Sequence, residues 1–422
     1  MDQKSNRNPW IWVPTLYFAE GLPYFIVNTI SLVMFKDMGM DNGTLALLTS
    51  LLSLPWMIKP LWSPFVDIFK SKRWWIIAMQ LTMAAAVALI AVSVPAAART
   101  SSFTISLIFF AIAAFASATH DISADGYYMI ALNDRNQSAF VGIRNTFYRI
   151  AMVFGQGVLV VLAAFFEKRL GGVSAGWSAT LAVSAALLAA VTVYHSLLLP
   201  KPAEDADRNG GMAGEVLKEF GRAFSSFFTR KGVWMAVAFM LLYRLPEAFS
   251  VKMLYPLFSD PAEAGGLGFD KAAYGIVYGT AGVVALLAGG IIGGLHISRK
   301  GLKHCMMPMA LSLALPCAVY LLMALLQPSS LWFVGACVVL DQFGYGYGFT
   351  AYTVYMMKFA EGPLKTSHYA ICTGFMALSM LLPGAVAGYM QQWLGYKGFF
   401  IMVMICCLAT VFVSLSARRR LQ

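Results

Sequence analysis

Charge is what this sequence lacks most. Only 12% of its 422 residues are Asp, Glu, Lys or Arg, against about 25% in an ordinary soluble domain. Histidine is scarcer still, with five residues, and the six cysteines (Cys305, Cys317, Cys337, Cys372, Cys406, Cys407) all lie in the C-terminal half. They fall inside apolar stretches without metal-ligand spacing, so they read as small packing residues rather than a zinc site or disulfide framework. No His-Glu-x-x-His motif or Gly-x-Gly-Asp pair occurs, which argues against an intramembrane enzyme. The glycine-rich run Gly275 to Gly294 is followed by no Gly-Lys-Ser/Thr and reads as helix packing, not a phosphate loop. No short apolar region with a small-residue cleavage site follows the N-terminus, so no removed signal peptide is expected.

What fills the chain is hydrocarbon: 59% of residues are hydrophobic. Runs of the length needed to span a bilayer, about 20 residues, fall at roughly 10–35, 44–66, 74–94, 103–131, 138–166 and 175–199. Six more fall at roughly 233–258, 271–297, 304–326, 330–357, 366–390 and 398–416. The expected fold is therefore an all-α polytopic membrane protein with twelve transmembrane helices. Residues 1–200 would form one six-helix bundle and residues 232–422 the other, joined by a polar linker over 201–231. Within the linker, Met212 to Arg230 carries Val216, Leu217, Phe220, Phe224, Phe227 and Phe228 at helical spacing, an amphipathic helix for the membrane surface.

The net charge of +11 is lopsided in a way that fits topology better than nucleic-acid binding. With both termini inside, 20 of the 31 Lys and Arg fall in inner segments and 6 in outer loops, with 5 embedded. The chain is thus expected in the inner (plasma) membrane with both termini cytoplasmic. Trp10, Trp12, Trp74, Trp75, Trp177, Trp234, Trp332 and Trp393 lie at segment ends, as an interfacial belt would place them. The two halves also share short patterns: Leu22-Pro23 against Leu245-Pro246, and Tyr128-Met129 against Tyr355-Met356. Duplicated six-helix halves describe the major facilitator architecture.

Charges left inside apolar runs cost about 2.5–3.5 kcal/mol each on insertion scales and mark functional paths. The acids are Glu20, Asp121, Asp125, Glu247 and Asp341, in the first, fourth, seventh and tenth segments, which line the cavity in a facilitator fold. Asp121 and Asp125 share a helix face. At about 1.5 Å per residue, Asp125 lies level with Arg144, and Asp121 level with Arg149, on the next antiparallel helix. This predicts two pairs, either a static ladder or a titratable switch for proton coupling to which Glu20 would contribute. Lys59, Arg244, Glu247, Asp341 and Gln342 are candidate substrate ligands, with Trp56, Tyr127, Tyr128 and Tyr345 as surfaces for stacking on sugar rings. Asp67, Lys72 and Arg73, in the basic loop after the second segment, are candidates for gating.

Several stretches resemble the AmpG-type muropeptide permeases of the major facilitator superfamily, a group related to acetyl-CoA transporters. They are Glu20-Gly-Leu-Pro23, Leu54-Pro-Trp-Met-Ile-Lys-Pro-Leu-Trp-Ser-Pro-Phe-Val-Asp67 and His120-Asp-Ile-Ser-Ala-Asp-Gly-Tyr127 in the first half. In the second half they are Asp341-Gln-Phe-Gly-Tyr-Gly-Tyr-Gly348, Thr366-Ser-His-Tyr-Ala370 and Leu394-Gly-Tyr-Lys-Gly-Phe-Phe400. The resemblance implies proton-driven import of peptidoglycan fragments, and carries roles onto Lys59, Asp67, Asp121, Asp125 and Gln342. The chain departs from the family pattern at Glu20, His120 and Tyr128, which leaves open another sugar-containing or anionic solute. The expected partners are a small-molecule substrate and the lipid bilayer, with no nucleic acid, no cofactor beyond the proton, and a monomeric chain.

Overall fold

The computed structural model describes residues 8–100, 102–205, 213–361 and 365–421. Among them the chain is nearly all helix, with no strand. The spans are α1 (Pro9–Asp37), α2 (Asn42–Leu61), α3 (Lys72–Thr100), α4 (Thr104–Ala131), α5 (whose apolar part is Gly142–Leu170) and α6 (Val173–Leu198). A linker helix, Ala213–Phe228, precedes α7 (Val233–Ser259), α8 (Lys271–Lys300) and α9 (Leu302–Leu326). The 30-residue helix Leu331–Ala360 is α10. The last element, Lys365–Arg420, is broken at Gly395 (φ 67°, ψ 172°) into α11 before it and α12 after. These twelve helices make an integral membrane protein of the expected class.

Packing divides the chain into two units: residues 1–34 with 58–218, and residues 35–57 with 219–422. In the first, α3 lies between α4 and α6, and α1 runs along α5. Gly21 permits that approach: a Cβ there would lie 2.9 Å from Ala151 Cβ and 3.1 Å from the Tyr148 carbonyl oxygen. In the second, α10 packs between α8 and α9, while α11 and α12 contact α7 and the start of α2. Asp41 caps α2, its Oδ1 accepting from the Thr44 amide at 2.9 Å and from Gln392 Nε2 at 2.8 Å. Partial burial pushes the Asp41 carboxyl up, but hydrogen bonds from Thr44 and Gln392 outweigh it and hold the group below the ordinary carboxylate range.

The glycines of α10 alternate in purpose. A Cβ on Gly346 would sit 2.0 Å from Leu286 O of α8, and one on Gly344 would sit 2.1 Å from Ser312 O of α9. Gly289 of α8 is equally tight, 2.1 Å from Phe343 O. Removing side chains there brings backbones together, so the glycine-rich run is a packing feature, as expected.

Prolines interrupt the spans where the charges lie. Pro55 and Pro60 break α2 at residues 52–53 and again into the short 3₁₀ turn Lys59–Leu61. Pro246 starts a new helical segment inside α7, and Tyr243 and Arg244 form the joint before it. One expectation fails at the ends of the spans. Trp10, Trp74, Trp234, Trp332 and Trp393 are exposed, but Trp12 and Trp177 are fully buried. Trp12 packs edge-on to Tyr127 at 5.3 Å and belongs to the core of the first unit, so a terminal position in sequence did not make it interfacial.

Candidate functional site

In the first unit, the breaks in α2 bring Lys59 to α4. Its Nζ lies 3.3 Å from Asp121 Oδ2. One turn along α4, Asp125 Oδ1 receives Arg144 Nη2 at 2.9 Å from α5 and the Tyr17 hydroxyl at 3.1 Å from α1. The Arg144 guanidinium lies over two rings, 4.5 Å from the centroid of Tyr17 and 5.2 Å from that of Tyr128. A planar cation suits this place, because it can stack on aromatic faces while its edge meets a carboxylate. Glu20, on the same helix as Tyr17, is buried, and its Oε2 has no hydrogen-bond partner among the described residues. The charges acting on it are Asp125, Asp121, Arg144 and Lys59. Three carboxylates therefore share the field of two cations.

The sequence-based pairing of Asp125 with Arg144 matches this geometry; that of Asp121 with Arg149 does not. Arg149 meets no carboxylate among the described residues, and its Nη1 lies 4.0 Å from Met152 Sδ. The reason is rotational. Residues four apart turn by about 40° on a helix, but residues five apart turn by about 140°. Asp121 and Asp125 share a face, whereas Arg144 and Arg149 do not, and equal depth could not bring both arginines to α4. Lys59 takes the place expected for Arg149.

Tyr127 is also displaced from its expected role. It is fully buried, and its hydroxyl donates to the Pro200 carbonyl oxygen at 2.6 Å. Adjacent residues on a helix point about 100° apart, so Tyr128 can lie beside Arg144 while Tyr127 cannot. His120 and His195 are joined through Gln80. Gln80 Nε2 lies 3.0 Å from His120 Nε2 and 2.9 Å from His195 Nδ1, and His195 Nε2 lies 2.9 Å from Thr15 Oγ1. The chain ties α1, α3, α4 and α6 behind the aspartates.

The second unit holds a cluster of different character. At the α7 joint, Arg244 is bidentate to Glu247, at 2.8 and 2.9 Å, and donates to the Tyr345 hydroxyl at 2.8 Å. Its guanidinium lies 4.8 Å from the Phe349 ring centroid and 5.5 Å from that of Tyr345. Asp341 is buried and accepts from Tyr320 at 2.6 Å and from Gln342 at 3.0 Å. Tyr345 and Gln342 are thus engaged with protein groups. Lys252 is buried, donates to Thr49 Oγ1 at 3.2 Å, and has no carboxylate partner among the described residues. Trp56 belongs to this unit and is half-buried.

The profile of the Major Facilitator Superfamily matches residues 15–388, most of the chain. The chain belongs to the Major Facilitator Superfamily. Among relatives, it is 24% identical to the anhydromuropeptide permease of Escherichia coli K12 over 412 residues, 96% of this chain and 79% of that protein. Among solved structures, it is similar to a bacterial homologue of the human lysosomal transporter Spinster, with a TM-score of 0.74, 14% identity, and 99% and 98% of the two chains covered. It is also similar to a D-xylose-proton symporter, with a TM-score of 0.69, 12% identity, and 97% and 96% covered. The facilitator fold and the AmpG-type resemblance agree, and the protein is a transporter of small molecules rather than an enzyme.

Of the residues expected to gate this facilitator, the Asp67 side chain lies outside the described residues. Lys72 and Arg73 begin α3, and their amides donate to the Asp205 carboxylate at 2.6 and 2.9 Å. Arg73 also donates to the carbonyl oxygens of Leu199 and Ser196 at the end of α6. Sequence reasoning passed over Asp205 because it sits in the linker, and over Tyr17 and Tyr320 because a tyrosine in a span reads as packing. Tyr17 had one usable signal: it lies three residues before Glu20, on the same helix face.

Proposed function

We propose that this transporter imports peptidoglycan-derived amino sugars or muropeptides across the inner membrane by alternating access, coupled to inward proton movement. The cargo class rests on the similarity to the E. coli anhydromuropeptide permease over 96% of the chain. Both termini lie in the cytoplasm in this reading, supported by the bias of Lys and Arg toward one set of loops. The transporter works as a monomer, with the proton as its coupling ion.

The observation that carries the coupling is the imbalance in the first unit: Glu20, Asp121 and Asp125 against Lys59 and Arg144. Two carboxylates have cations at 2.9 and 3.3 Å. The third, Glu20, is buried with an oxygen that no group among the described residues satisfies. An unpaired buried carboxylate is costly, and one proton removes its charge. Asp121 and Asp125 exchange partners with Glu20 as the proton comes and goes. Uptake of labelled anhydro-muropeptide into proteoliposomes, with and without an imposed pH gradient, tests the reading. Accumulation only with the gradient supports it; equal uptake without the gradient refutes coupling.

A second reading, a proton symporter for another sugar-containing or anionic solute, is favoured by one observation. Tyr127 is sealed in the core and Tyr128 is occupied by Arg144, so two of the aromatic surfaces assigned to sugar rings are already engaged. Competition of the labelled uptake by simple sugars and organic acids separates the two readings.

A further inference from the structure

Five cations are embedded in the spans, and the structure accounts for three of them with carboxylates: Lys59 with Asp121, Arg144 with Asp125, and Arg244 with Glu247. Lys252 and Arg149 remain. Lys252 is closed off, its stem packed near Gly384 and its Nζ on Thr49. Arg149 is different. It is half-buried, and among the described residues its guanidinium has only the weak acceptor Met152 Sδ at 4.0 Å. A guanidinium carries five donors and keeps its charge at any physiological pH, so a site of this kind calls for an anion from outside the protein.

Farther along the same stripe of α5 stands a second unmet group. Arg149, Met152 and Gln156 follow at three and then four residues, the spacing that keeps side chains on one face. Gln156 lies in the π turn Phe154–Val158, a local widening that is frequent at functional sites. Only 9% of Gln156 is exposed; its Nε2 donates to Thr29 Oγ1 at 3.2 Å, and its Oε1 is buried with no donor among the described residues. Buried acceptors are nearly always satisfied, so this one is aimed at something absent from the protein.

We infer that Arg149 and Gln156 are cargo ligands on α5: the Arg149 guanidinium takes a carboxylate of the cargo, and Gln156 Oε1 accepts from one of its N–H or O–H groups. Seven residues separate them, about 10 Å along the helix, a reach that a disaccharide-sized molecule covers and a single sugar does not. The assignment rests on the proposed import of muropeptide-like cargo and gives it chemistry: one anionic group and one donor group. It also separates two tasks on one helix, with Arg144 turned toward the coupling aspartate and Arg149 turned toward cargo.

The test compares uptake of a labelled anhydro-muropeptide bearing free carboxylates with uptake of its carboxamide counterpart, in proteoliposomes with an imposed pH gradient. Wild-type protein favours the acid. Arg149→Met raises KM for the acid by about tenfold, the size of one charge-assisted pair, leaves KM for the amide unchanged, and keeps the response to the gradient. Gln156→Ala carries the test independently, raising KM for both cargos about fivefold with the gradient response intact. Arg149→Met that shifts acid and amide alike, or that abolishes the gradient response while KM holds, overturns the assignment; so does Gln156→Ala with unchanged KM. Wild-type protein that takes up neither cargo overturns the import reading itself, before any variant is compared.

Discussion

Arg144 places its Nη2 2.9 Å from Oδ1 of Asp125, joining α5 to α4 while its guanidinium covers the rings of Tyr17 and Tyr128. The pair is not sealed: the side chains are 27% and 46% exposed. Its Coulombic part is therefore modest, and the stacked rings contribute beside it. Arg144→Lys keeps the charge but loses the plane that stacks, and is expected to be nearly as damaging as Arg144→Gln. In a double-mutant cycle on thermal unfolding in detergent, Arg144→Gln and Asp125→Asn should show a coupling of about 1 kcal/mol. Additive single effects would show that the two residues do not act as a pair.

Close helix packing in the second unit depends on positions that admit no side chain. Gly346→Ala and Gly289→Ala put a methyl group 2.0 and 2.1 Å from backbone oxygens of the facing helix. Backbone cannot yield as a flexible side chain can, so both variants should lose the monodisperse peak in size-exclusion chromatography. Gly294→Ala, with nothing within 4 Å, is the matched control and should behave as wild type. Normal behaviour of the first two would mean that α8 and α10 lie farther apart.

The cap on α2 gives a pH dependence with a definite sign. Asp41 is held below the ordinary carboxylate range by hydrogen bonds from Thr44 and Gln392. Its contribution is therefore fully present above the unfolded value of about 3.9 and lost as pH falls through the lowered folded value. The stability advantage of wild type over Asp41→Ala should be flat from neutral pH to mildly acidic pH and shrink only below that. An advantage that grows on acidification would contradict the hydrogen bonds described.

Much of the architecture was legible in the sequence because hydropathy is a long-range signal that local accidents do not erase. Twelve spans and the packing role of the glycines followed from it. Site geometry was legible only where depth alone decides contact. Asp125 met Arg144 because the two are level and face one another; Asp121 and Arg149 are level but do not face, and depth carries no angular information. Lys59 reaches Asp121 because prolines break α2 into a turn, and how a proline-broken helix re-aims its side chains is set by tertiary packing. Two tryptophans misled for a related reason. Trp12 and Trp177 sit near the ends of spans, but neighbouring helices cover them.

In the proposed coupling, Glu20 is the carboxylate whose charge the proton removes. Glutamine at position 20 keeps the shape and cannot titrate. The decisive measurement is uptake by Glu20→Gln protein in proteoliposomes, read both as net accumulation under a pH gradient and as exchange of labelled for unlabelled cargo without one. Exchange near the wild-type rate is expected, with gradient-driven accumulation reduced to the equilibrium level. Accumulation that still follows the gradient in Glu20→Gln would contradict it.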